Sequence, residues 1–317
     1  MKQNAAGLGI LLFFLTMLLR PQEVFFGAGK GLLLWFQTVL PTLLPFMILS
    51  GLLISTNSIT YLDRIFSPVF RRLFRISENA SFAVVAGFFC GYPMGAKVTA
   101  DLLRQGKISQ AEGQYLLSFC NNTSPMFLVS YVVWQNLQKQ SLLLPSLLLL
   151  FGTPVLASAL FYPFSFRKSG NSQKDRSGSG STKKQASRIC IKFQMLDTCI
   201  MNSFETITKI GGYIILFSIL ISLLSSDPFQ KIPLLKMSLP FLEITNGIPM
   251  LCASDLPLIM RFTLTMALTA FGGICSVAQT NCMLEGTGLS IMPYFFQKVI
   301  TAFLCAILAP ILFGLFL

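Results

Sequence analysis

Nine apolar residues, Ser81 to Phe89, run into Cys90-Gly91-Tyr92-Pro93-Met94-Gly95, and that turn-forming stretch constrains the chain more than any other. As helix, such a segment reaches about 13 Å at about 1.5 Å per residue, only to the middle of a hydrocarbon core about 30 Å thick. Glycine and proline then force the backbone to turn. Lipid offers no partner to turning backbone, so a turn at that depth must be buried in protein or line a polar cavity. Ser81 to Leu103 is therefore expected to form a re-entrant helical hairpin whose tip is a candidate binding site.

The solvent inferred from this stretch agrees with 53% hydrophobic residues, 11% charged residues and 30 Phe, more apolar than a soluble domain carries. A net charge of +12 could suggest nucleic acid, but its placement argues otherwise. Arg64, Arg71, Arg72 and Arg75 crowd one loop, and Arg167, Lys168, Lys174, Arg176, Lys183, Lys184, Arg188 and Lys192 another. These clusters read as positive-inside markers, and no nucleic-acid partner is expected. The second cluster lies in the Ser- and Gly-rich stretch 163–193, a flexible basic linker by composition. Eight Cys without CxxC spacing, and no His, signal neither a metal site nor a redox dithiol, and no cofactor is expected. The cysteines read as small buried thiols. Lys2 followed by an apolar run to Leu19 resembles a signal peptide, yet no small-residue cleavage site precedes Arg20-Pro21, so an uncleaved first span is preferred.

The fold class expected is all-α, a polytopic membrane protein with inverted-topology repeats, each carrying a re-entrant helical hairpin. Apolar runs give spans at Ala5 to Leu19, Gly31 to Ile54, Gln114 to Val133, Leu142 to Phe161, Ile207 to Leu224 and Ile291 to Leu317, with a second hairpin at Phe262 to Leu284. The organisation is a first span over 1–30, a first repeat over 31–162, the linker over 163–193 and an inverted second repeat over 194–317. Placing the linker in the cytoplasm puts every strong charge cluster on one side. It makes Tyr61 to Arg75 an amphipathic helix on the inner surface, and Ser225 to Arg261 a mixed external segment. Gly87-Phe88-Phe89-Cys90 can be laid on Gly272-Gly273-Ile274-Cys275, and Pro41 to Phe46 on Gly212 to Phe217. Inverted repeats with broken helices are the architecture of secondary transporters, with the solute held at the midplane.

Candidate binding residues follow from polar interruptions at membrane depth. The hairpin tip supplies Gly91, Tyr92, Pro93 and Gly95, with Lys97 two residues on as a countercharge for an anion, or as a side chain that snorkels to the surface. Asn121, Asn122, Thr123 and Ser124 precede Pro125 inside an apolar run. The proline should break the helix, and the new half-helix N-terminus would face an anion; the plainer reading is a proline kink with interhelical hydrogen bonds. Ser276, Gln279 and Thr280 follow Gly272-Gly273 and offer neutral donors and acceptors. Glu243 in Glu243-Ile244-Thr245-Asn246-Gly247 is either solvated at the outer interface or, if the segment dips inward, a coupling group. There is no phosphate loop, no HExxH, no GxSxG and, without His, no conventional triad, so an enzyme is not expected.

Several of these elements together carry a resemblance. Leu34-Trp35-Phe36, Pro41-Thr42-Leu43-Leu44-Pro45-Phe46, Gly91-Tyr92-Pro93-Met94-Gly95-Ala96-Lys97, Phe119-Cys120-Asn121-Asn122, Ser124-Pro125-Met126-Phe127, Gly211-Gly212-Tyr213, Glu243-Ile244-Thr245-Asn246-Gly247 and Phe271-Gly272-Gly273 resemble the sporulation integral membrane protein YlbJ family. The resemblance implies a nucleoside-recognition Gate domain, related to concentrative nucleoside transporters. It implies a role in endospore formation, moving dipicolinate across a bacterial cell membrane, such as the outer forespore membrane. The partners implied are the bilayer and a small-molecule substrate, with homo-oligomerisation left open. Alternatives are a carrier of nucleosides or other solutes and a non-transporting sporulation factor acting through the linker. A ferrous-iron transporter is disfavoured by the absent GTPase domain.

Overall fold

The computed structural model describes residues 2–56, 58, 68–167, 193–227 and 231–316, and among them the chain is helical, with no strand. The first half contains α1 (Lys2–Leu19), α2 (Pro21–Leu34) and α3 (Leu40–Ser55), the last two continuous through a π-wound turn at Trp35–Val39. A short helix, α4, covers 68–74. It is followed by α5 (Ser81–Phe89), α6 (Met94–Arg104), α7 (Gln110–Cys120), α8 (Pro125–Phe127) running on as π-helix over Leu128–Leu137, and α9 (Leu143–Arg167). The second half contains α10 (Phe193–Leu224), α11 (Pro233–Ser238), α12 (Ile244–Cys252), α13 (Leu258–Phe271), α14 (Gly273–Met283) and α15 (Ile291–Phe316).

Among the described residues, five helices are long and apolar enough to cross a membrane: Pro21–Leu53, Gln140–Pro163, Phe193–Leu224, Leu258–Met283 and Ile291–Phe316. Large apolar side chains stand outward from them and from α1, including Phe25, Phe26, Phe303 and Leu19. In water so much exposed apolar surface would aggregate; against lipid it costs nothing. The protein is an integral membrane protein. Where helices meet, small residues let them close: a Cβ on Gly31 would stand 2.9 Å from the Ile215 backbone, and one on Gly211 would stand 2.7 Å from the Trp35 ring. This is the packing expected where no hydrophobic force joins helices. The Trp35 indole also donates to the Ile207 carbonyl at 3.0 Å, fixing α2 and α10 together.

Several boundaries differ from the sequence expectation. The crossing expected from Gly31 starts at Pro21, where proline sits at the first helical position and needs no N–H partner, and the expected span Ala5 to Leu19 is not among the five, its apolar part being the shorter Gly7–Leu19. Of the amphipathic surface helix, 61–67 fall outside the described residues; in 68–74 Phe74 is buried, while Val69 and Leu73 are exposed. The linker residues 168–192 also fall outside, and α9 carries the helix through Arg167.

The first fold-back is formed. Helices α5 and α6 pack side by side and are joined at the tip by Gly91, whose φ of 84° is costly for any residue with a Cβ. Phe262 to Leu284 does not form a second hairpin. Helices α13 and α14 barely touch each other; they are one crossing interrupted at Gly272 and Gly273, where φ is 86° and 81°. The fold-back of the second half lies earlier, inside the segment expected to be external. A 3-10 turn, Leu239–Phe241, runs into Leu242-Glu243, and α12 returns against it. This segment is buried because α12 presents Thr245, Asn246, Gly247 and Ile248 to the core. At the far end of the first fold-back, the Arg104 guanidinium donates to the carbonyls of Met283 at 3.1 Å and Glu285 at 2.7 Å, tying it to the last turn of α14.

Candidate functional site

Four interruptions of regular helix meet at the centre of the molecule. They are the tip between α5 and α6, the break between α7 and α8, the turn before α12 and the break between α13 and α14. One cavity lies among them. Its wall contains Gly91 and Tyr92 from the first, Thr123 and Ser124 from the second, Glu243, Ile244 and Thr245 from the third, and Gly272, Cys275, Ser276 and Gln279 from the fourth. Apolar side chains of the π-wound turn, α3, α8 and α10, among them Val39, Leu43, Phe127, Ile210 and Ile214, close the rest.

The local sequence explains each interruption. Ser124 takes extended backbone and accepts from the Phe127 amide at 3.2 Å, capping the helix that Pro125 opens. Glu243 caps α12: its carboxylate accepts from the amides of Thr245 at 3.0 Å and Asn246 at 2.8 Å, the Thr245 hydroxyl at 2.6 Å and the Asn246 side chain at 2.8 Å. It is 1% exposed, so the inward placement holds for this residue. A carboxylate at a helix N-terminus with so many donors is well held where it is. Tyr92 spans the cavity. Its hydroxyl donates to the Ala270 carbonyl at 3.1 Å, and a Cβ on Gly272 would stand 2.7 Å from its ring. The Cys275 amide donates to the Leu242 carbonyl at 2.8 Å, so the second tip also docks on the second break.

Of the residues expected from sequence, Gly91, Tyr92, Ser124, Glu243, Ser276 and Gln279 line this cavity together. Pro93 and Gly95 support it from behind. Pro93 caps α6, and a Cβ on Gly95 would stand 3.0 Å from the Asn121 Cα. Asn121, Asn122 and Thr280 are buried outside the wall. The Asn121 amide donates to the Thr280 hydroxyl and the Tyr294 hydroxyl, both at 2.9 Å, and its carbonyl oxygen accepts from the Ala96 amide at 3.3 Å. Asn122 donates to the Phe119 carbonyl at 2.5 Å. Lys97 is not brought to the cavity. Its ammonium donates to the Thr206 hydroxyl at 3.0 Å and lines a separate cleft with Asp101, Asn202 and Glu205.

Sequence reasoning missed Lys298. It sits in the apolar helix α15 and is 1% exposed, and it donates to the Asn121 carbonyl at 3.0 Å and the Asn122 side-chain oxygen at 3.2 Å. The signal was present: a lone lysine inside an apolar run long enough to span a bilayer marks a functional position by default. Thr123, read as part of the first break, also lines the wall, and Thr245 and Cys275 were missed there, since nothing in their types distinguishes them from core positions.

The sequence over residues 36–166 matches a family model, Gate, described as nucleoside recognition. The chain is 28% identical to the sporulation integral membrane protein YlbJ of Bacillus subtilis (strain 168), in an alignment covering 94% of this chain and 79% of that protein. No solved structure matches at a significant level. The resemblance read from the first tip and the first break is therefore met by both findings, and the Gate match contains both segments.

Proposed function

We propose that this integral membrane protein, with its Gate-type segment, carries a small polar or anionic solute across the bilayer, and we infer dipicolinate during endospore formation as that solute. The observation that supports a carrier best is the single cavity walled by all four helix interruptions. Unpaired backbone groups survive at membrane depth only where protein or a polar cavity satisfies them, and meeting interruptions are where transporters hold solute between halves. In this reading both fold-backs are re-entrant, and the bacterial cell membrane, in a sporulating cell the outer forespore membrane, is the location. Sporulation rests on the similarity to YlbJ.

A planar dianion can be held without full countercharge by the N-termini of α8 and α14, the hydroxyls of Thr123, Ser124 and Ser276, and the Gln279 amide. Glu243 in the same wall is the coupling group of this reading. A second reading, a neutral nucleoside-like solute, is favoured by that same carboxylate and by Lys97 facing another cleft. Flux into liposomes decides: dipicolinate is followed by terbium luminescence inside the vesicles, uridine by radiolabel. Dipicolinate flux that responds to an imposed proton gradient in the wild type, and not in Glu243→Gln, is the expected result. Uridine flux without dipicolinate flux replaces the substrate, and neither flux from folded protein leaves a non-transporting membrane factor. The reading places 168–192 in the cytoplasm. An external thiol reagent should then miss cysteines introduced at Ser177 and Arg71 in a Cys-depleted variant and reach one at Asp227.

A further inference from the structure

Lys298 is an amine buried with no carboxylate partner among the described residues. It is the eighth residue of α15, and the ion pairs among the described residues join Arg20 to Glu23, Arg104 to Asp101, Lys209 to Glu205 and Lys231 to Asp227, none of them to Lys298. The titratable groups around it are Tyr92 from the first tip, Cys120 from α7, and Tyr294 and Cys305 from its own helix. No carboxylate is among them. Taking an ammonium out of water costs several kcal/mol unless its donors are used, and here they are. Two go to the Asn121 carbonyl and the Asn122 side-chain oxygen. The ammonium also stands 5.0 Å from the centre of the Tyr92 ring, within range of a cation–π contact.

The seat has the chemistry of a small-cation site. Helix α7 ends at Cys120, so its terminal carbonyls carry the negative end of the helix dipole. The break leaves the Asn121 carbonyl with no helical partner, and the Asn122 amide oxygen is aimed at the same point. Neutral oxygens converging at a carbonyl-rich helix end suit a hard cation. We propose that Lys298 is a tethered cation for this seat, occupying the place a free monovalent ion would otherwise take, so that the break keeps its shape without a bound alkali ion. The inference builds on the carrier reading of the adjacent cavity, but its test uses no solute.

The test is the melting temperature of the purified protein in detergent, in sodium, potassium, ammonium or choline chloride at equal ionic strength. Wild type should melt at the same temperature in all four. Lys298→Ala should melt roughly 5 to 10 °C lower in choline, as expected for a few kcal/mol lost, and should regain at least half of that in ammonium or sodium. Equal depression of Lys298→Ala in every salt, Lys298→Met as stable as wild type, or wild type stabilised by sodium would each overturn the proposal. Should Lys298→Ala not fold, Lys298→Gln takes its place: it keeps a neutral donor at the seat, so a melting temperature in choline lower than wild type by about 5 °C supports a cation there and one equal to wild type counts against it. Loss of dipicolinate flux alone would sink the substrate assignment and leave this inference standing.

Discussion

At the first break, Asn121 to Ser124, side chains occupy the gap left by the missing helix turn: the Asn121 amide spans to Thr280 and Tyr294, Asn122 ties back to Phe119, and Lys298 enters from α15. At the second, Gly272-Gly273, the interruption has no side chains of its own, and its neighbours serve it: Tyr92 donates to the Ala270 carbonyl and Leu242 accepts from the Cys275 amide. The first break is filled and the second is left with space beside it, which is where the cavity opens. Polar residues at membrane depth are thus not in themselves a solute site. Asn121 and Asn122 tie together the break they belong to, while Thr123 and Ser124 of the same break stand in the cavity wall beside the bare backbone of Gly91 and Gly272.

The comparison can be broken most directly at Gly272. Gly272→Val puts a branched side chain at a φ of 86° and into the Tyr92 ring, so flux in liposomes should fall below about a tenth of wild type. Wild-type flux from this variant would mean that the second break does not shape the cavity. Asn121→Ala comes next and should act on folding. Three hydrogen bonds at about 1 kcal/mol each predict a melting temperature lower by several degrees, with an unchanged KM in the protein that remains folded. A raised KM at full stability would return Asn121 to the solute. Ser276→Ala should do the reverse, raising KM about 5-fold with little change in melting temperature, the value of one hydrogen bond. The smallest effect is expected of Lys97→Gln, less than about 2-fold on KM for dipicolinate, because the ammonium faces Thr206 and the neighbouring cleft. A larger and dipicolinate-selective loss would restore it as the countercharge.

How far the sequence could be read depended on how each interruption is encoded. The tip at Gly91 and the break before Pro125 announce themselves through glycine and proline at fixed positions, and both are where their residues place them. Gly272-Gly273 gives the same signal for a different geometry, since a glycine pair permits a turn without saying whether the flanking helices pack on each other. The second fold-back carries no such pair. Leu242-Glu243 turns because the Glu243 carboxylate caps α12, and a cap in a weakly apolar stretch reads equally well as a surface loop. Lys97 went astray for a different reason. Hydropathy locates a residue along a helix, while the face it occupies depends on which neighbour the helix packs against.

The contact of Trp35 with Gly211 has an optical consequence. The chain has 2 Trp, and they differ in surroundings. Trp35, half-buried in the π-wound turn after α2, packs on α10 a turn away from Ile210 in the cavity wall, whereas Trp134 is 57% exposed on the π-wound helix. Brominated lipid should quench the emission of the second more strongly than that of the first. What survives quenching is then a label-free signal from the helix pair beside the cavity, through which occupancy can be followed in real time in unmodified protein.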